Sequence, residues 1–102
     1  MALEIKKYHF DANQITDWES FHDLFATTCG FPGYYGRNMD AWIDCTTDMA
    51  SEDVLVVFEV SNMGSLKTRC HDQFLAIVEC SAFVNHRLLE CGETPGLILS
   101  FE

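Results

Sequence analysis

Val54-Leu55-Val56-Val57-Phe58 is the run on which the fold turns. Five consecutive apolar residues, three of them valine, are too few for a helix and too continuous for a strand wetted on one face. The run therefore predicts a short strand covered on both faces, the kind found in parallel sheets with helices around them. Downstream, Gly96-Leu97-Ile98-Leu99-Ser100-Phe101 has the same composition and predicts another buried strand. Upstream, Leu3 to Phe10 alternates imperfectly through Leu3, Ile5, Lys7, Tyr8 and Phe10, and carries β-favouring aromatics, so it also reads as a strand.

Helical spacing fills the gaps. Trp18, Phe21, His22, Leu24, Phe25 and Thr28 recur at helical intervals behind a cap at Thr16 or Asp17, and Cys29 and Gly30 end that helix. Phe31-Pro32-Gly33-Tyr34-Tyr35-Gly36 is a connector that breaks helix, and a second helix is predicted from Arg37 to about Ser51. A short helical stretch spans Asn62 to Arg69. A longer helix, Asp72 to about Glu90, takes Phe74, Leu75, Ile77, Val78, Phe83, Val84 and Leu88 as its apolar positions, until Gly92 and Pro95 stop it. The order predicts an α/β fold: a small single domain with a three-stranded parallel sheet and about four helices.

Composition supports that reading. The 102 residues are 48% hydrophobic and 13% aromatic, enough for a core and against disorder, with no repeat or low-complexity linker to divide the chain. Sixteen carboxylates against six bases give a formal charge of -10, which works against direct binding to nucleic acid or an anionic membrane and suits a basic partner. Glu4, Lys6 and Lys7 interrupt any secretory leader at the N-terminus, and no apolar stretch approaches about 18 residues, so a cytoplasmic protein is expected. The five cysteines, Cys29, Cys45, Cys70, Cys80 and Cys91, are odd in number and irregular in spacing, and read as reduced, mostly buried thiols. Neither they nor His9, His22, His71 and His86 form a metal-ligand spacing, and no cofactor motif occurs.

The second helix carries the chemical information. Met39, Trp42, Ile43, Thr46, Met49 and Ala50 share one side, while Asp40, Asp44 and Asp48 form a row on the other. Like charges at i, i+4 cost roughly 0.2 to 0.5 kcal/mol per pair, and Asp48, near the helix C-terminus, also opposes the macrodipole. A solvated face in an acidic protein would account for the row. Its neighbourhood points further: Tyr34 and Tyr35 precede it in a constrained loop and Thr47 projects beside it, and rigid aromatics next to carboxylates make a binding surface. Half-buried loop anchors are the other reading of the paired tyrosines.

The run Phe31-Pro32-Gly33-Tyr34-Tyr35-Gly36-Arg37-Asn38-Met39-Asp40-Ala41-Trp42-Ile43-Asp44-Cys45 resembles the signature of the barstar family of intracellular ribonuclease inhibitors. The strand at Val54 to Phe58 and the closing Leu97-Ile98-Leu99-Ser100 agree with the family's order. The resemblance implies a non-enzymatic inhibitor or antitoxin that forms a 1:1 complex with a basic ribonuclease, pressing an acidic loop and helix into its active site. It places Tyr34, Asp40 and Asp44 in that plug, with Asp44 standing in for a substrate phosphate; Tyr35, Gly36, Asn38, Ile43, Thr47 and Asp48 complete the expected contact set. Three features depart from the pattern: Ile43 precedes the second aspartate where the family has an aromatic, Asp48-Met49 replaces a Gly-aromatic pair, and the stretch from Cys80 to Gly96 is longer. Glu79 and Glu90 are both candidates for the family's late-helix glutamate. Two other readings stand beside the resemblance: an acidic module for a basic partner that is no nuclease, and a magnesium-dependent enzyme using Asp40 and Asp44.

Overall fold

The computed structural model describes residues 3–50 and 53–102. Strand β1 (Glu4–Asp11) leads through a single 3-10 turn into helix α1 (Trp18–Cys29), then helix α2 (Met39–Met49), strand β2 (Val54–Ser61), helix α3 (Met63–Arg69), helix α4 (His71–Glu90) and strand β3 (Leu97–Phe101). The strands form one parallel sheet in the order β1-β2-β3. The α/β fold with a three-stranded parallel sheet and four helices is thus the one expected from the sequence.

The helix boundaries follow from local chemistry. Asp17 caps α1 by accepting from the Ser20 N–H at 2.7 Å, while the Ser20 hydroxyl accepts from the Asp17 N–H at 3.0 Å. Hydrogen bonding to the carboxylate from the Ser20 N–H, and next from the Ser20 side chain, lowers the Asp17 pKa from its ordinary value. Helix α2 starts at Met39, two residues later than the apolar spacing suggests, because Arg37 has a φ of 54° and the Asn38 side chain caps the helix by accepting from the Ala41 N–H at 2.8 Å. The far end expected for that helix, Ser51, lies outside the described residues. At the end of α4, Gly92 takes a φ of 79°, and the N–H groups of Glu93 and Gly92 donate to the carbonyls of Leu88 and Leu89 in a Schellman turn.

One expectation changes. Right-handed crossovers between neighbours in the order β1-β2-β3 carry every helix to the same face of the sheet, so β2 is covered on one face and not on both. Phe10, Val56, Phe58, Val60 and Leu97 point into the core there, with Tyr8 and Leu99 packed at its margin. The opposite face, with Ile5 at 55% exposure and Ile98 at 45%, stays outside the core cluster. Val57 lies on that open face and is shielded by Lys7 and Ile98, its register partners on the two flanking strands. A middle strand can therefore be apolar throughout with helices on one side only.

The core is an aromatic stack between sheet and helices. Phe58 of β2 meets Phe10, Phe25 and Trp42 with ring centroids 5.2, 5.7 and 6.1 Å apart, and all four rings are fully buried. Helix α4 presents Gln73, Ile77, Ser81, Val84 and Leu88 inward. Val78 and Phe83, counted among its apolar positions in sequence, face outward instead. Ser81 takes the core place between Ile77 and Val84, and its hydroxyl is satisfied by donating to the Ile77 carbonyl at 2.6 Å. The cysteines are also less buried than expected: Cys29, Cys45, Cys70 and Cys80 are free thiols packed at the core margin, and Cys91 is exposed. Phe58→Ala should cost about 3–5 kcal/mol of unfolding free energy, as a buried aromatic truncation does, whereas Ile98→Thr on the open face should stay within about 1 kcal/mol; urea unfolding of both variants measures the contrast.

Candidate functional site

The connector from Phe31 to Gly36 is anchored from below. Pro32 and Gly33 start a turn in which the Tyr35 N–H donates to the Pro32 carbonyl at 2.9 Å, and this drives the two tyrosines to opposite sides. Tyr34 is 86% exposed. Tyr35 is 9% exposed, its ring against Phe31 at 4.8 Å and its hydroxyl hydrogen-bonded to Nδ1 of His22 on α1. Of the tyrosine pair placed on the contact surface by the sequence, Tyr34 presents its ring outward and Tyr35 holds the loop down. His22 is buried between Trp18 and Phe21; its pKa is lowered by that burial and, to a lesser degree, by nearby Arg37, against an opposing pull from Asp23. Burial likewise pushes the Tyr35 hydroxyl well above its ordinary pKa.

Arg37 supplies a second anchor. Its left-handed backbone is uncommon for a residue with a side chain, and its guanidinium donates to Asp23 Oδ1 at 2.8 Å and to the Glu19 carbonyl at 3.2 Å, tying the loop to α1. Asn38 serves as the cap, and Gly36 lies between the anchored Tyr35 and Arg37, where an added Cβ would meet Ala41 and Asn38 at ordinary contact distance.

Beyond the loop, α2 packs Trp42 and Thr46 into the core and turns Asp40, Asp44 and Asp48 to solvent. Ile43 and Thr47 are half-buried at the edges of that row, and the Thr47 hydroxyl donates to the Ile43 carbonyl at 2.6 Å, tied to its own helix. Two grooves flank the row. One, of about 730 Å³, runs between α2 and α4 over Met39, Ile43, Cys80 and Phe83, with Asp40, Asp44, Arg87 and Glu90 on its rim. The other, of about 380 Å³, lies under the loop between Pro32, Tyr34, Cys45 and Asp48. Asp44 borders both and so stands on the ridge between them. Asp44 also accepts a hydrogen bond from Arg87 of α4, which raises the arginine's pKa.

Sequence reasoning missed the α4 side of this surface. Phe83, at 58% exposure, counted among the apolar positions of its helix, and nothing in the spacing singled out Arg87. His86 Nε2 lies 2.5 Å from Glu90 Oε1 on the same rim. Of the two late-helix glutamates, Glu90 borders the α2–α4 groove, while Glu79 borders a separate hollow with Ala82, Phe83 and His86. The thiols nearest the row stay protonated: burial and then Asp48 and Asp44 raise Cys45, and burial and then Glu79 and Asp40 raise Cys80. Among the described residues, no three His, Cys, Asp or Glu side chains gather as a metal-holding group, and no helix is long and apolar enough to cross a membrane.

The family model described as "Barstar (barnase inhibitor)" matches residues 5–99, from within β1 to within β3 and with the acidic helix included. The chain belongs to the barstar family. A curated relative from Bacillus subtilis (strain 168), named "Putative ribonuclease inhibitor YrdF", is 39% identical over 61 residues, covering 57% of this chain and 67% of the relative.

The buried His22–Tyr35 bond gives this barstar-family loop a pH signature. With the native pKa below the ordinary 6.5, the unfolded chain takes up the proton first as pH falls. The His22 contribution is therefore complete above 6.5 and is lost as pH drops toward the lowered native value. Urea midpoints measured from about pH 7 to about pH 5 should fall more steeply for the parent chain than for His22→Gln.

Proposed function

We propose that this chain is a cytoplasmic ribonuclease inhibitor of the immunity or antitoxin kind. In this reading it acts as a single barstar-like domain that forms a 1:1 complex with a basic ribonuclease or ribonuclease-like toxin and covers the active site. The observation that carries the proposal is the position of Asp44, an exposed carboxylate on the ridge between two grooves, beside a projecting Tyr34 whose loop is locked in place. Membership of a family described by its barnase inhibitors supports it.

The mechanism needs no bond chemistry. A ribonuclease binds a polyanion, so its active site concentrates Arg, Lys or His, and a row of carboxylates at one-turn spacing presents the complementary charge. The row is unfavourable in the free helix because its charges repel, and a cationic partner relieves that repulsion, so part of the binding energy comes from the inhibitor's own strain. Tyr34 contributes contact area at small entropic cost. Asp40, Asp48, Ile43 and the polar edge at Gly36, Asn38 and Thr47 form the margin, and Tyr35 acts through the loop it anchors. The net charge of -10 steers encounter with a basic surface at a salt-dependent rate.

Barnase, assayed by cleavage of a fluorogenic RNA substrate, tests this proposal. One equivalent of the chain should silence cleavage. Asp44→Ala should weaken the complex by about 2–5 kcal/mol, mainly through faster dissociation. Asp48→Ala at the margin should mainly slow association, and that effect should fade as salt is raised. Full RNA cleavage in the presence of excess chain, or equal inhibition by Asp44→Ala, would contradict the proposal.

A further inference from the structure

The acidic face contains a cation of its own. Among the described residues lining the α2–α4 groove, Arg87 is the one permanent positive charge, and its guanidinium hydrogen-bonds the Asp44 carboxylate. The residue best placed to receive a partner's cation is thus already holding one in the free protein. The pair stands in solvent, with side-chain exposures of 47% and 63%, so it is screened and weak. It does little to fix α2, which is held by the Asn38 cap and by Trp42 and Thr46 in the core.

We propose that Arg87 is a competitor built into the contact surface: it occupies Asp44 until a partner's cation displaces it, and so sets how strongly basic a partner must be. This rests on the reading of Asp44 as the central contact. A partner cation arriving at Asp44 meets a like charge in the same groove, and like charges brought together at an interface oppose binding. A partner with scattered lysines gains little at Asp44 beyond what this repulsion and the existing hydrogen bond cost. A partner whose cations converge at one point, as they do in a phosphate-binding site, can. The displaced guanidinium has somewhere to go, since Asp40 and Glu90 border the same groove. Arg87 thus lowers affinity for every basic partner and lowers it most, in proportion, for the weakly basic ones.

The test uses barnase as the probe, with four forms of the full chain: parent, Arg87→Gln, Asp44→Asn and the double variant. In the free protein, the Arg87 side-chain N–H resonances should shift on Asp44→Asn; no response overturns the proposal, because no pair then exists to displace. Arg87→Gln should bind barnase about three- to tenfold tighter than the parent, the range expected for removing a weak competing pair and one like-charge contact. That gain should vanish in the Asp44→Asn background. A gain of the same size there would assign Arg87 a general charge effect and overturn its role as competitor, as would unchanged or weaker binding by Arg87→Gln. If Asp44→Asn weakens binding while Arg87→Gln changes nothing, the ribonuclease reading stands and the competitor fails. If no form binds barnase, with Arg87→Gln included, both fall together.

Discussion

The indole of Trp42 fixes the rotation of α2, and most of what the surface presents depends on that rotation. A sheet with helices on one face offers a single apolar layer, and Phe10, Phe25 and Phe58 already occupy its centre. Trp42 completes the cluster edge-on to Phe25 at 5.5 Å, fully buried, with Thr46 one turn below it. With this side turned inward, 3.6-residue periodicity leaves Asp40, Asp44 and Asp48 no direction but outward. The acidic row is thus aimed by the core, and changes in core packing reach the contact surface without touching a charge.

Electrostatics and packing divide the work around that row. Asp40 gains from the dipole at the start of α2, while Asp44, in mid-helix, gains from Arg87 on α4. Asp48, near the end of the helix, opposes the dipole and lies close enough to Arg87 to contribute to the arginine's raised pKa. The barstar-family pattern is kept in the tyrosines and in the first two aspartates, and this chain adds a third carboxylate where the pattern has glycine. The added charge borders the groove under the loop and not the α2–α4 groove, so the two grooves beside Asp44 differ in character: the charges of one are all acidic, set in largely apolar walls, and those of the other are mixed.

The sequence was informative where a residue's role depends on near neighbours. Asp17, Gly30 and Gly92 sit at helix ends where cap chemistry is local; continuous apolar runs found β2 and β3, and imperfect alternation with aromatics found β1. What depended on a distant segment was not legible. The continuous apolar character of β2 suggested two covers because shielding of Val57 by Lys7 and Ile98 needs the sheet register. Phe83 counted among the apolar positions of its helix because spacing alone cannot tell an inward aromatic from one that lines a groove between helices, and Ser81 filled the core place instead. The pairings of Tyr35 with His22 and of Arg87 with Asp44 span 13 and 43 residues, and no window on the sequence brings either pair together.

The loop before α2 is held at three successive points: Tyr35 by His22, Arg37 by Asp23, and Asn38 by its own helix. A loop fastened this way gives up its conformational freedom during folding, before any partner arrives. In the proposed complex, this loop would then dock already formed, without a folding step of its own. The heat-capacity change of binding would reflect the apolar area covered at the interface, with no added contribution from ordering the loop.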